Sequence, residues 1–165
     1  IFTVERERVE IEGLEINLAV RTPIDGLTLS AGYAHIVGRY DSDDDNVVDT
    51  DLDGANISPD RLSLALNYAK GPLTARVQTG FYLSRTFQLS TNPAAYTPAT
   101  AFEGYNLTDS VVRYDAGFGG VTLAVSNLFD ADYITYNSDT VSVADNARFF
   151  SGRGRVFTLG FDVKF

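Results

Sequence analysis

Residues 61–84 read RLSLALNYAKGPLTARVQTGFYLS, and polarity alternates at every second position on both sides of a short break. Before the break, one set of alternate residues is Leu62, Leu64, Leu66 and Tyr68. After the break, the corresponding set is Leu73, Ala75, Val77, Thr79, Phe81 and Leu83. The break is Lys70-Gly71-Pro72, and glycine and proline favour tight turns. Because successive side chains of a strand point to opposite faces, the stretch predicts two strands, each with an apolar and a polar face.

The same two-residue period recurs along most of the chain and predicts an all-β fold. Seven strands are predicted, at about 5–20, 27–40, 60–69, 73–88, 104–115, 121–129 and 153–165. The first of them changes phase at Gly13, where a bulge or a bend would account for the change.

The connections between the predicted strands alternate between short and long. The short ones contain glycine or proline and lie at 22–26, 70–72 and 116–120. The long ones are polar and lie at about 41–59, 89–103 and 130–152. Short turns at one end and long loops at the other are typical of antiparallel outer-membrane β-barrels. A soluble β-sandwich has no reason to keep this alternation.

Aromatic residues at the predicted strand ends favour the same interpretation. A lipid-facing band is bordered by aromatic girdles, and the candidate girdle residues are Tyr68, Phe87, Phe129 and Phe165. The polar faces would then line a wet lumen. In a soluble sandwich the same polar faces would be the solvated outside, so that alternative stays open.

The composition excludes several classes of protein. No apolar run approaches the ~18 residues of a transmembrane helix. A net charge of −9 argues against a nucleic-acid partner. There is no cysteine and a single histidine, His35. Nucleophile and nucleotide-binding motifs are also absent, so neither an enzyme nor a cofactor is predicted. No signal peptide opens the chain, which fits either a mature start or a fragment.

Two short motifs resemble the end of a TonB-dependent outer-membrane receptor. Residues 125–133, VSNLFDADY, are similar to the "NLFD…Y" signature near the end of the penultimate strand of that family. Residues 152–161 and a terminal aromatic resemble its last strand. The residues that carry the family motif are Asn127, Leu128, Phe129, Asp130, Tyr133 and Phe165.

The resemblance implies a 22-stranded transmembrane β-barrel in the bacterial outer membrane. Residues 1–165 would be the C-terminal part of that barrel, with its last seven strands, and the plug domain would lie outside this chain. Short turns would be periplasmic and long loops extracellular. The family implies active import of a scarce nutrient such as a ferric siderophore, and TonB supplies the energy for that import. It also implies that the outer surface of the barrel wall contacts lipid and lipopolysaccharide.

Candidate binding residues lie in the long loops. The aromatic side chains expected to contact a ligand are Tyr96, Phe102, Tyr133, Tyr136, Phe149 and Phe150. Asp49, Asp51 and Asp53 approach the spacing of a calcium-binding loop, since hard cations prefer clustered carboxylates. A solvated acidic loop is the simpler interpretation of that segment. His35 is expected at the outer interface of the membrane.

Two alternative functions remain at this stage. A small structural or adhesive outer-membrane barrel would need an eighth strand, because bacterial barrels have even strand numbers. A soluble β-sandwich binding module, such as a calcium-dependent lectin, would dissolve without detergent.

Overall fold

The computed structural model describes residues 7–52, 54, 56–91, 101–140 and 149–164. Within them the chain forms ten strands and one short helix. The elements are β1 (Val9–Arg21), β2 (Leu27–Tyr40), β3 (Thr50–Asp51), β4 (Arg61–Lys70), β5 (Leu73–Tyr82), β6 (Arg85–Thr86), β7 (Ala101–Phe102), β8 (Tyr105–Asp115), β9 (Gly119–Ser126), α1 (Tyr136–Thr140) and β10 (Val156–Val163). Among these residues, no helix is both long and apolar enough to span a bilayer.

Seven long strands form one antiparallel sheet in the order β1-β2-β4-β5-β8-β9-β10. The short strand β3 pairs with the end of β2, and β6 and β7 form a separate ribbon. Each long strand pairs with its neighbour along the chain, as expected for a meander of hairpins. The predicted all-β, seven-stranded segment of an antiparallel barrel is confirmed, and the described sheet is open, with β1 and β10 at its edges.

The register places apolar side chains in continuous rows across the sheet. One row joins Val20, Leu29, Leu66 and Val77. We call the side that carries this row the apolar face, and the side that carries Asn67 and Arg76 the polar face. Within the described chain no second layer covers the apolar face: Leu159 is 74% exposed and Phe161 81% exposed. A soluble sandwich would bury these side chains, whereas a barrel turns them to lipid.

One sequence prediction was wrong at β1. Its pairing with β2 runs without interruption from Val9 to Arg21, and Gly13 lies opposite Ile36 with no bulge. Between Val9 and Gly13, at the loop end of β1, the apolar and polar residues therefore lie on the opposite faces from those they occupy in the rest of the strand. A strand needs a strict apolar face only over the ~9–11 residues that cross the hydrocarbon. Because β1 has 13 residues, its first residues, before Gly13, need not carry a strict apolar face.

The long strands have a turn end and a loop end. The turn end carries the short connections 22–26, 71–72 and 116–118. The loop end carries the long connections 41–60, 83–104 and 127–155, which include β3, β6, β7 and α1. The described apolar side chains with the least exposure lie mainly in these long connections, among them Ile57, Phe87, Phe102 and Tyr136. The packed core of this segment is thus at the loop end, because the sheet itself has no second layer.

The segment after β9 ties that strand to the start of β10. Asn127 is 4% exposed and adopts a left-handed φ of 49°. Its Nδ2 donates to the carbonyl oxygens of Ala131 (2.9 Å) and Arg153 (3.2 Å), and its Oδ1 accepts from Ala131 N (2.9 Å). Asp130 Oδ1 accepts from Arg155 N at 2.8 Å. These bonds end β9 at Ser126, three residues before the predicted end.

The other motif residues have different surroundings. Leu128 accepts a hydrogen bond from the Arg155 guanidinium through its carbonyl oxygen, and its amide donates to Thr108 O. Phe129 is 73% exposed, in keeping with a girdle position, although it lies beyond the end of β9. Phe165 lies outside the described residues.

Candidate ligand site at the loop end

Aromatic side chains from two strands and two long connections meet at the loop end. Tyr82 and Tyr105 lie opposite each other on β5 and β8, with ring centroids 4.5 Å apart. Phe102 contacts Tyr105 and Tyr136 edge-on, at 5.9 Å and 4.8 Å. We call the whole group the aromatic cluster: Tyr82, Phe87, Phe102, Tyr105, Tyr133 and Tyr136.

Three of the six aromatic residues predicted as ligand contacts lie in this cluster. Phe102 and Tyr136 are buried in it, and Tyr133 packs on Tyr105 at 4.7 Å. Phe149 and Phe150 are largely exposed and belong to none of its described ring contacts. Tyr96 lies outside the described residues. The part of all six aromatic residues in ligand binding stays a prediction.

The sequence interpretation missed Tyr82, Phe87 and Tyr105 as members of the site. Phe87 was expected in a membrane girdle, and that was wrong: it is 5% exposed and packs on Tyr136 at 6.3 Å. The chain leaves β5 at Tyr82, so Phe87 is not on a membrane-spanning strand. Tyr82 carried a usable signal, because it falls on the polar face of its strand, where an aromatic ring is unusual.

A cavity of about 410 Å³ opens beside the aromatic cluster. Phe102, Tyr105 and Tyr133 form its aromatic part. The other lining residues are Ala101, Glu103, Gly104, Asp132, Ile134 and Asp139. A volume of this order suits a small ligand, and a few polar groups among aromatic walls are typical of small-molecule sites.

Gly152 holds Tyr133 in place at the edge of the cavity. Its amide donates to Tyr133 O at 2.6 Å. A Cβ at this position would overlap the Tyr133 ring. The close approach of backbone and ring therefore requires glycine, and it connects the orientation of Tyr133 to the segment that leads into β10.

Asp51 joins two of the long connections beneath the site. It is 8% exposed, and its carboxylate accepts from Arg39 Nε (3.2 Å) and Gln88 N (2.9 Å), with Arg85 Nη2 at 3.7 Å. Its own amide donates to Gln88 O at 2.9 Å. Arg85 also lies over the ring of Phe87, 5.1 Å from the centroid. The carboxylate thus joins the segment 41–60 to the segment 83–104, which carries Phe87 and Phe102 of the aromatic cluster.

Replacing Asp51 with asparagine is expected to loosen this junction by about 2–3 kcal/mol, because a nearly buried arginine loses its counter-charge. Faster exchange of the backbone amide hydrogens at position 51 and at Gln88 in the full-length protein would measure the loss. Asp25→Asn is the matched control, since the Asp25–Lys70 pair is exposed and such pairs contribute at most about 1 kcal/mol. Equal effects of the two substitutions would contradict this account of Asp51.

The acidic loop brings together a different set of carboxylates from the predicted one. Oxygen atoms of Asp41, Asp43 and Asp45 lie within 4.8 Å of one another. Incomplete hydration and the neighbouring charge of Asp45 raise the pKa of Asp43. Asp51 is bound to arginine instead, and Asp53 lies outside the described residues. Calcium binding by Asp49, Asp51 and Asp53 stays a prediction.

His35 lies on the apolar side of β2 near the loop end. Its Nδ1 is 2.7 Å from Asp60 Oδ2, and Tyr33 donates to the same oxygen at 3.2 Å. This polar group at the edge of the apolar rows fits the predicted position of His35 at the membrane interface.

The geometry can now be compared with known proteins. The family model described as the TonB-dependent receptor-like β-barrel matches residues 2–128. The chain belongs to the TonB-dependent receptor family. Comparison with the curated proteins found no significant match. Proteins of this family are outer-membrane β-barrels of Gram-negative bacteria, so the outer membrane is the location of this one.

Solved structures of three proteins share the fold. The copper transporter OprC is 19% identical with a TM-score of 0.70, and the match covers 95% of this chain and 24% of that one. The iron transporter FrpB from Neisseria meningitidis is 18% identical with a TM-score of 0.65, over 93% and 23%. A mutant of the ferric enterobactin receptor PfeA from Pseudomonas aeruginosa is 19% identical with a TM-score of 0.62, over 94% and 22%. This chain therefore spans about a quarter of their length.

Membership of the family orients the sheet. In outer-membrane barrels the short turns are periplasmic and the long loops extracellular. By that rule the turn end of this sheet is expected to be periplasmic and the loop end extracellular. Backbone groups in the hydrocarbon must be hydrogen-bonded within the protein, which the continuous ladders achieve for the strands between β1 and β10. The aromatic cluster and its cavity lie at the loop end of the sheet.

Proposed function

We propose that this chain is the C-terminal part of the barrel of a TonB-dependent importer and that its extracellular loops help to capture a scarce small molecule, such as a ferric siderophore. The observation that carries the proposal is the cavity beside the aromatic cluster at the extracellular end of an outer-membrane barrel wall. The plug domain and the contact with TonB belong to other parts of the receptor. Lipid and lipopolysaccharide surround the apolar face.

The two faces of the sheet would serve import in different ways. The apolar face holds the protein in the bilayer. The polar face offers a hydrated surface, on which some of the charged groups form ion pairs. Arg113 donates to Asp162 at 2.6 Å, and Lys164 donates to Asp115 at 2.9 Å. Arg21 and Arg76 lie on the same face without a carboxylate partner among the described ion pairs, so a ligand released from the loops would pass both paired and unpaired charges.

Capture would depend on the loops acting together. Aromatic rings contribute apolar contact area at low entropic cost, and the Asp51 junction limits the motion of two of the three long connections. Phe149 and Phe150 are exposed at the same end and are proposed as outer contacts. A preorganised site binds more tightly than a mobile one because less freedom is lost on binding.

Import can be tested with the full-length receptor in cells that have or lack functional TonB. The ligands are a panel of ⁵⁵Fe-loaded siderophores, haem, cobalamin and oligosaccharides. We expect at least one to accumulate only when both the receptor and TonB are present. Accumulation that does not depend on TonB, or no accumulation of any member by the correctly assembled receptor, would refute the proposal.

Tyr133→Ala is expected to weaken the apparent affinity for that ligand in uptake by about 5–30-fold, since removal of a central aromatic contact commonly costs about 1–2 kcal/mol. The reason is loss of both the cavity wall and the packing on Tyr105. Initial uptake rates against ligand concentration give the apparent affinity. Tyr114→Ala is the matched control, because Tyr114 is exposed on the apolar face at the turn end. An unchanged affinity in the Tyr133 variant would remove the cavity from the binding site.

A further inference from the structure

Charge is distributed unevenly along the chain. The three long connections, 41–60, 83–104 and 127–155, contain thirteen acidic and four basic residues, a net charge of −9. The whole chain has 22 acidic and 13 basic residues and also a net charge of −9. The strands and short turns are therefore neutral as a group. The field of this chain at the extracellular end attracts cations and repels anions before any contact is made.

Three carboxylates in the lining of the cavity have no cationic partner among the described residues: Glu103, Asp132 and Asp139. Elsewhere in the described chain, several carboxylates form ion pairs, among them Asp51, Asp130 and Asp162. The described lining of the cavity contains no lysine, arginine or histidine. Its ionisable groups therefore all carry the same sign of charge.

Three aromatic rings form much of the remaining wall, beside Ala101, Gly104 and Ile134. Tyr105 and Tyr133 lie 4.7 Å apart, and Phe102 is edge-on to Tyr105. The faces of aromatic rings carry negative electrostatic potential and attract cations, above all alkylammonium groups. Rings and carboxylates thus favour the same kind of ligand, through two independent effects. An anion would face repulsion from both.

From these observations we propose that the cavity binds an organic cation, with its ammonium group among Glu103, Asp132 and Asp139 and its apolar part against Phe102, Tyr105 and Tyr133. This inference rests on the proposed function and narrows its ligand to molecules with a positively charged, amine-bearing group. A soft metal ion is a poorer fit to this chain, because it has no cysteine or methionine and a single histidine.

The test uses the full-length receptor in a non-ionic detergent with two probes of matched size. The probes are benzyltrimethylammonium and benzenesulfonate, and saturation-transfer NMR measures their binding. We expect saturable binding of the ammonium probe only, weakened by salt. The triple variant Glu103→Gln, Asp132→Asn, Asp139→Asn is expected to weaken it at least about tenfold.

A second triple variant is the matched control: Asp43→Asn, Asp44→Asn, Asp45→Asn. It removes the same charge at the same end of the barrel but outside the cavity, so it is expected to weaken binding less than about threefold, because exposed charges are screened over ~8–10 Å. Migration of unheated protein on a gel checks that each variant is folded. Equal losses in the two triple variants would show that the general field is responsible and would overturn the proposed site.

The remaining outcomes separate this inference from the proposed function. Binding of the sulfonate as strong as that of the ammonium, or no saturable binding of the ammonium, would overturn the cation site while TonB-dependent uptake stands. A receptor that binds the ammonium probe as expected but imports no member of the uptake panel would support the site and refute import.

Discussion

Asn127→Ala is expected to lower the free energy of local unfolding at the end of β9 by about 4 kcal/mol. The substitution removes three hydrogen bonds, to Ala131 N, Ala131 O and Arg153 O. Each bond contributes about 1 kcal/mol, and a buried partner left unsatisfied costs more. Alanine is also strained at a left-handed φ of 49°, which asparagine tolerates.

Amide hydrogen exchange in the full-length receptor measures this effect. A loss of about 4 kcal/mol corresponds to an exchange rate about 1,000-fold higher in residues 127–131 and 153–155. Asn127→Asp retains the acceptor for Ala131 N and tolerance of the left-handed backbone, so we expect an intermediate effect. Asn137→Ala, at an exposed position of α1, is the control outside these two segments. Exchange in the Asn127→Ala variant as slow as in the Asn137→Ala control would show that the closure of this loop does not depend on Asn127.

Gly26→Ala is expected to reduce the stability of the first hairpin by about 3–4 kcal/mol. Gly26 has a φ of 81°, where a side chain costs about 1–2 kcal/mol. A Cβ there would also collide with the carbonyl oxygen of Ala69, a backbone atom at the end of β4. The hydrogen bond from Ala69 N to Gly26 O (2.8 Å) holds the turn against that strand, so the collision separates two connections at the turn end.

Gly71→Ala measures how much of the stability loss expected for Gly26→Ala comes from the left-handed backbone alone, without a steric collision. Gly71 has a φ of 57°, but a Cβ there would meet no atom within 4 Å. We expect it to cost only about 1 kcal/mol. Urea unfolding of the full-length receptor in lipid vesicles, together with the yield of assembled protein in the outer membrane, compares the two variants. Equal costs would mean that the contact with Ala69 is unimportant.

Much of the fold was predictable because the sheet is a meander of adjacent strands. In residues 61–84 a tight turn and an unbroken alternation determine both partners and register, so β4 and the start of β5 were predicted to within a residue. The end of β5 was not: it lies at Tyr82, six residues before the predicted end. The strand ends at the loop end were predicted less well. β9 stops at Ser126 because Asn127 bonds to Arg153, a residue 26 positions later, and no local pattern carries that information.

The candidate site was likewise predictable where it depends on local sequence and unpredictable where it depends on contacts between distant segments. Aromatic residues in the long loops were predicted, and Phe102, Tyr133 and Tyr136 do lie together. Phe87 was assigned to the membrane girdle because its neighbours in sequence continue the alternation of β5. Its burial follows from the end of β5 and from the ribbon formed by β6 and β7, which turns it toward Tyr136.

The sequence by itself determined the class of this protein: strands with one apolar face, short turns alternating with long polar loops, and the terminal motifs of a receptor barrel. These features depend on neighbours close in the chain, whose spacing is set by the two-residue period of a strand. Only the tertiary structure decided which loop residues meet, that Asp51 binds two arginines, and that three carboxylates without an ion-pair partner among the described residues border an aromatic cavity. Those contacts join segments far apart in the chain, and their geometry depends on the packing of the loops against one another.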